Sequence, residues 1–373
     1  MQQRSSHSNA CSSRPGVWRV GDAVRYLAGY VALCALLTLP ATNHAEAAPP
    51  TELTWLTWTE YIDPVLLAEF EQRYHAKVRR IFFDADEMRN EMLLNRDGAG
   101  FDMVTVNGPS MAMYVKRGWL EPLDKSQILN MQQIDPRWLD AFAGGRTHGA
   151  AYMWGTLGIA YRKDLVPAPV TRWQQFFNPP EALRGRIIML KESRDAIGMA
   201  LKSLGYSSNS TDPAELAAVE RLLLAQKPFI KSYSYLLLDK MSPLMTGEIS
   251  MAMIFSGDGI ALHKLNPNIE FVLPEEGSNT FVDYLAVMRA SPRKHLAMQF
   301  INFMNEPRNA ARLALFMNFP TPNRGAAALL PVEFRHDPMI YPPMETLNKS
   351  EFYRDLPAEG LKRRISLFNR VVN

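Results

Sequence analysis

Two apolar periodicities alternate along the chain. Short runs of crowded apolar and β-branched residues are followed by stretches in which apolar residues recur every three or four positions, the spacings of strands and of helices packed on a sheet. Residues 53–57 read as a strand, and Asp63-Pro64 then starts a helix running through Glu71, with Val65, Leu66, Phe70 and Tyr74 near helical spacing. Residues 77–83 read as a second strand, 87–94 as a second helix and 101–106 as a third strand. This order predicts parallel strands joined by crossover helices. A second series follows, with a strand at 186–190, helices at 195–204 and 212–225, and a strand at 250–254. Between the two, residues 152–161 are β-rich and carry small residues where the chain can cross from one unit to another. Residues 281–288 offer a return crossing, and helices at 292–305 and 307–316 complete the first unit. The pattern predicts two α/β lobes with mixed sheets, joined by a hinge, with the ligand cleft between them. The expected boundaries are 48–156 with 282–328 for the first lobe, and 157–281 with 329–373 for the second.

The N-terminal segment stands outside this pattern. Arg4, Arg14, Arg19 and Arg25 precede an apolar run from Tyr26 to Leu39, followed by Pro40 and Ala45-Glu46-Ala47. A basic region, a short apolar core and a small-x-small site make residues 1–47 a cleavable signal peptide, which implies an exported protein. The run is shorter than the roughly 20 residues of a membrane span, although an uncleaved anchor is the alternative reading. Both cysteines, Cys11 and Cys34, lie in this segment, so the exported chain carries no disulfide. Its four arginines against Asp22 and Glu46 account for two of the formal +3 charges, leaving +1. So small a charge gives no electrostatic reason to bind nucleic acid or an anionic membrane. About 325 residues remain, more than one core usually organises.

Enzyme and metal chemistry leave little trace. His75, His148, His263, His295 and His336 are isolated, without helical pairing or a cysteine partner. No nucleophile elbow, phosphate-binding loop or dinucleotide fingerprint occurs, so no cofactor and no metal is expected. The 20 methionines are dispersed and suit adaptable packing. A hydrolase using two acids in a cleft is an unrelated alternative, and it requires carboxyl groups roughly 5 to 9 Å apart along a sugar-shaped groove.

Several short motifs occur in one order: Trp58-Thr-Glu-Tyr61, Phe101-Asp-Met-Val104, Gly118-Trp-Leu-Glu-Pro-Leu-Asp-Lys-Ser126, Tyr152-Met-Trp-Gly155, Leu204-Gly-Tyr-Ser207, Pro274-Glu-Glu-Gly277, Ile301-Asn-Phe303 and Pro320-Thr-Pro-Asn323. Through them the chain resembles, over essentially its whole exported length, the periplasmic spermidine/putrescine-binding proteins of ABC importers. The resemblance implies a type II periplasmic-binding fold, no catalysis, and delivery of a polyamine to an inner-membrane permease by a monomer. It also implies a site. Trp58 and Tyr61 match the first-strand loop, Asp195 a helix-start acid of the second lobe, and Glu192 takes the place of a nearby aspartate. Asp283 matches the acid on the return strand, with Phe281 in the neighbouring aromatic place. Asp258 falls where putrescine-preferring members keep an aspartate. Phe255 replaces a tryptophan, Phe319 a tyrosine of some members, and Tyr353 a glutamine. Asn107 stands where the family often has serine, and Pro109 where spermidine binders have tyrosine. The same constellation serves a polyamine sensor reporting to a membrane signalling protein.

The chemistry agrees with a cationic ligand. A polyamine is a methylene chain carrying ammonium groups, each costing several kcal/mol to bury unless a carboxylate meets it. Aromatic faces line the methylenes and add cation–π attraction, about 0.5–2 kcal/mol per contact. Each residue also has a plainer reading. Asp195 suits a helix N-cap, Asp258 in Ser256-Gly-Asp-Gly259 suits a turn, and Phe255 or Phe319 suits a core. Asp283, set among Phe281, Val282, Tyr284 and Leu285, has the weakest structural explanation and is the best single candidate.

Overall fold

A computed structural model of the protein describes residues 49–373 apart from Glu60; the segment read as a signal peptide lies outside the described residues. The first series forms β1 (Thr51–Trp58), α1 (Pro64–Arg73), β2 (Ala76–Phe83), α2 (Asp86–Leu94) and β3 (Met103–Asn107), with β1 parallel to both β2 and β3. Asp63 caps α1, accepting from the Val65 amide at 2.8 Å, with Pro64 at the first helical position. A further helix, α3 (Gly108–Lys116), follows β3 and is capped by Asn107, whose side chain accepts from the Ser110 amide.

The second series forms β5 (Ile187–Met189), α4 (Ser193–Ser203), α5 (Pro213–Gln226), β6 (Ile230–Tyr233), β7 (Met251–Phe255), α6 (Ser256–Leu265) and β8 (Ile269–Val272), after the crossing strand β4 (Gly149–Arg162). Strand β5 is parallel to β6 and to β7. The return strand β9 (Thr280–Val287) leads to α7 (Lys294–Met304) and α8 (Pro307–Met317), and the chain ends in α9 (Ala358–Val372). Neither β6 nor β8 stood out in the sequence, because each has only four residues, Ile-Lys-Ser-Tyr and Ile-Glu-Phe-Val, too few to set a periodicity. One predicted detail is corrected. Helix α4 takes Glu192 as its N-cap, without a side-chain cap bond, and Asp195 is the third residue of its first turn.

The strands run in the order β2-β1-β3-β9-β4-β7-β5-β6, with β8 also on β4. Strand β4 is what joins the two parallel halves. Its first part pairs antiparallel with β9, and its last part with β7 and β8. All of its residues but Arg162 are buried. One large core, from Leu53 through Trp154 with β9 and α7, packs the first half. A second, from Leu157 through Met253 with Leu367, Phe368 and Val371 of α9, packs the other. The result is a bilobed type II binding fold, a mixed sheet in each lobe and a shared strand at the joint.

Candidate ligand-binding site

The site grows from the carboxyl ends of the parallel strands, where loops and helix N-termini converge. Three strands deliver an acid to a helix start. Asp86 opens α2 after β2, Asp195 stands third in α4 after β5, and Asp258 stands third in α6 after β7. The N-terminal dipole of each helix favours a negative charge at these positions. Tyr61 occupies the turn between β1 and α1, and Asp283 lies within β9.

Asp283 is 6% exposed and accepts a short hydrogen bond from the Tyr61 hydroxyl. On the sheet it sits opposite Asn107 of β3 and Met153 of β4. The register of β4 slips between Ala151 and Met153, so Tyr152 is bulged out of the ladder. Its hydroxyl donates to the Tyr61 carbonyl at 2.9 Å, which fixes the turn that carries Tyr61. Burial pushes the Asp283 carboxyl up to about 6; the Tyr61 bond opposes the rise, Asp86 adds to it and Arg89 opposes it. The Tyr61 phenol is itself held well above its ordinary value, by burial first and by Asp283 next, so it remains a donor.

On the other side of the cleft, burial raises Asp195 to about 7, against the opposing effects of Tyr353 and Arg194 and with further upward pressure from Asp86 and Glu87. The Tyr353 hydroxyl faces that carboxylate, has no partner of good hydrogen-bond geometry, and packs against Gly198 so closely that a Cβ there would lie 2.8 Å from it. Glu192 rises far above the carboxylate range, by burial and then by Glu87, Asp195 and Asp86. Asp258 keeps part of its surface open, yet burial alone lifts its carboxyl to about 7. Tyr235, in the loop after β6, is pushed up by loss of hydration and then by Glu192, Asp195, Asp86 and Asp258, although 42% of its surface is exposed. Asp86, Glu87, Glu192, Asp195 and Asp283 thus act on one another, and the guanidinium groups acting on the same acids are those of Arg89, Arg194 and Arg364. A cation placed among them relieves repulsion that the protein's own basic groups leave standing.

Phe255, Phe281 and Phe319 form a ring wall, Phe281 meeting the other two edge to face at 5.3 and 5.6 Å between centroids. Two glycines make the wall possible. A Cβ on Gly155 would lie 2.8 Å from both Phe281 and Phe319, and one on Gly257 would lie 2.5 Å from Phe319. Trp58, at the end of β1, packs on Phe83 at 4.4 Å and is half-buried. The structure therefore brings Tyr61, Asp283, Asp258 and the phenylalanine wall into one neighbourhood, and Glu192, Asp195 and Tyr353 into another. Sequence reasoning missed Asp86, Glu87, Arg89, Tyr152 and Tyr235. A signal existed for two of them: Asp86-Glu87 is an acid pair at a helix start directly after a strand. Among the described residues no group of three His, Cys, Asp or Glu side chains is arranged to hold a metal ion, and no helix is long and apolar enough to cross a membrane.

Comparison with known proteins follows the same line. Residues 66–342 match the family model described as bacterial extracellular solute-binding protein. The spermidine/putrescine-binding periplasmic protein of Escherichia coli is 31% identical over 317 residues, 84% of this chain and 90% of that one. The norspermidine sensor of Vibrio cholerae is 32% identical over 326 residues, 87% of this chain and 89% of that one. A crystal structure of the spermidine/putrescine ABC transporter substrate-binding protein PotD from Streptococcus pneumoniae superposes with a TM-score of 0.75 at 29% identity, covering 86% of this chain and 98% of that one. With a matching family model over most of its length, a shared fold and relatives above 30% identity, the chain belongs to the bacterial extracellular solute-binding proteins, in the spermidine/putrescine-binding family.

Proposed function

We propose that the protein captures a polyamine between its lobes and delivers it to an ABC importer. The supporting observation is the surplus of buried carboxylates around the cleft, flanked by ring faces suited to a methylene chain. A diammonium ligand would place one end at Asp283 and Asp258, and the other at Asp195 and Glu192. Tyr61 would hold the first acid ionised while the phenylalanine wall and Trp58 line the chain between. In this reading the protein catalyses nothing, needs no cofactor and acts as a monomer in the periplasm after residues 1–47 are removed. Its lobes comprise 48–156 with 282–328, and 157–281 with 329–373.

The similarity to a norspermidine sensor favours one second reading, a receptor that reports polyamine to a membrane signalling protein. Both readings use the same cleft and differ in what the closed form docks on. Calorimetry and thermal shift of the protein against putrescine, cadaverine, spermidine, norspermidine and agmatine test the shared claim. Ligand at 100 times its dissociation constant should stabilise the fold by about 2.7 kcal/mol. Silence toward all five would end the polyamine reading. Stimulation of ATP hydrolysis by a reconstituted importer, against none, separates delivery from sensing.

A further inference from the structure

Arg89 lies wholly inside the first lobe, with no exposed surface. Its guanidinium donates to the Tyr114 hydroxyl at 2.9 Å, to Ser110 Oγ at 2.9 Å and to Asn107 Oδ1 at 3.4 Å. The face of Phe83 lies 5.2 Å from its centre. The remaining nitrogen meets Asp86 Oδ1 at 2.9 Å. Asn107 donates a short hydrogen bond to the other oxygen of Asp86. Asp86 is thereby held from behind, by a hydrogen bond at Oδ2 and at Oδ1 by an ion pair without hydrogen-bond alignment, while a quarter of its side chain stays open. A carboxylate has about four acceptor positions, and this hold uses one.

The location matters as much as the grip. Asn107 is the β3 residue directly opposite Asp283 on β9, so the carboxylate it orients stands beside the Asp283 end of the cleft. The same carboxylate acts on Glu192 and Asp195 of the second lobe. The field of Asp86 falls on Asp283 on one side of the cleft and on Asp195 and Glu192 on the other. A first-turn helix acid in solvent gains modestly from the dipole and needs no buried guanidinium behind it. Burying an arginine with four partners is costly unless it does something for the group it holds.

We propose that Asp86 is a ligand-binding carboxylate, held toward the cleft by Arg89 and Asn107 as positioning residues, where it accepts an ammonium group of the bound polyamine. The proposal deepens the polyamine reading and rests on it. Asp86 takes the ammonium from the first-lobe side, facing Asp195, so that one cation bridges the two lobes.

The test compares putrescine and spermidine binding by calorimetry for the unaltered protein, Asp86→Asn, Asp84→Asn and Asn107→Ser, with unliganded melting temperatures measured alongside. Asp84→Asn removes the same charge two residues away at an exposed position. Asp86→Asn should weaken binding 10- to 100-fold and Asp84→Asn less than twofold. Asn107→Ser keeps a good N-cap for α3 but loses its reach to Asp86, and should weaken binding three- to tenfold with an unchanged melting temperature. That variant carries the test should Asp86→Asn fail to fold. Binding by Asp86→Asn and Asn107→Ser within twofold of the unaltered protein would overturn the proposal, and so would equal losses in Asp86→Asn and Asp84→Asn, which would indicate a diffuse field. If the unaltered protein binds neither polyamine, the functional reading falls and this inference falls with it.

Discussion

Asp195 and Asp258 each stand third in a helix that follows a parallel strand, whereas Asp283 stands in the middle of β9 with a strand paired on either side. The first two have a helix dipole in their favour and still rise to about 7. Asp283 has no helix end behind it and rises only to about 6. The difference lies in close partners. The Tyr61 hydroxyl gives Asp283 a hydrogen bond that strengthens as charge develops, while the field of Arg89 assists. Around Asp195 the Tyr353 hydroxyl and Arg194 oppose the rise as well, while Asp86 and Glu87 add to it. Near neutral pH Asp283 is therefore the most readily ionised of the three, while burial holds Asp195 and Asp258 higher.

The largest test of that contrast is Asp283→Asn, which should cost at least about 100-fold in polyamine affinity, because an ammonium there is left without its acid. Calorimetry at pH 7.5 reads it. Asp195→Asn should cost about tenfold at pH 8 and less at pH 6, where the acid is already largely protonated. A larger loss for Asp195 than for Asp283 would reverse the assignment of the two ends. Next comes pH itself. Ligand affinity should climb about tenfold between pH 6 and pH 8, as Asp195 and Asp258 ionise through about 7. Unliganded stability should move the opposite way. These acids titrate above the ordinary aspartate value of about 4, so the native state holds extra protons; the resulting stability is complete below about pH 4 and is lost as pH rises through about 7. Melting curves without ligand across that range check the sign. The smallest effect belongs to Tyr61→Phe, which removes one hydrogen bond and should weaken binding about three- to tenfold while steepening the pH dependence at its lower end. An unchanged profile in that variant would mean Asp283 owes little to the phenol.

Much of the fold was legible because its signals are local. Asp63-Pro64 announces a capped helix, and that cap forms as read, while Asp212, read as the first residue of its helix, is the cap just before it. Strands β1, β2 and β7 carry dense apolar runs. The short β6 and β8 take their identity from strand partners, which local periodicity does not report. Asp195 was placed at the start of the right helix, which in the structure begins two residues earlier with Glu192 as its cap and no side-chain cap bond to announce it. The site was less legible than the fold. Asp283 stood out as a charge in an apolar strand, but Asp86 looked like any acid at a helix start. What distinguishes it is Arg89, three residues on and buried by contacts with Tyr114 and Ser110 some twenty residues later. Tyr152 is similar. Its role depends on a register slip that no residue type announces.

Strand β4 ties ligand chemistry to mechanics. Gly155 lies near its midpoint, in the last part of the stretch paired with β9 and two residues before the pairing with β7 begins, and it is the floor on which Phe281 and Phe319 rest. Any twist of that strand moves the floor under the rings. In the proposed complex a methylene chain pressed against the wall would act as a splint across the joint, its occupancy felt as stiffness in the backbone that links the lobes. A side chain grown at Gly155 would jam the same joint with the cleft untouched in charge, separating how tightly the protein grips from how freely it moves.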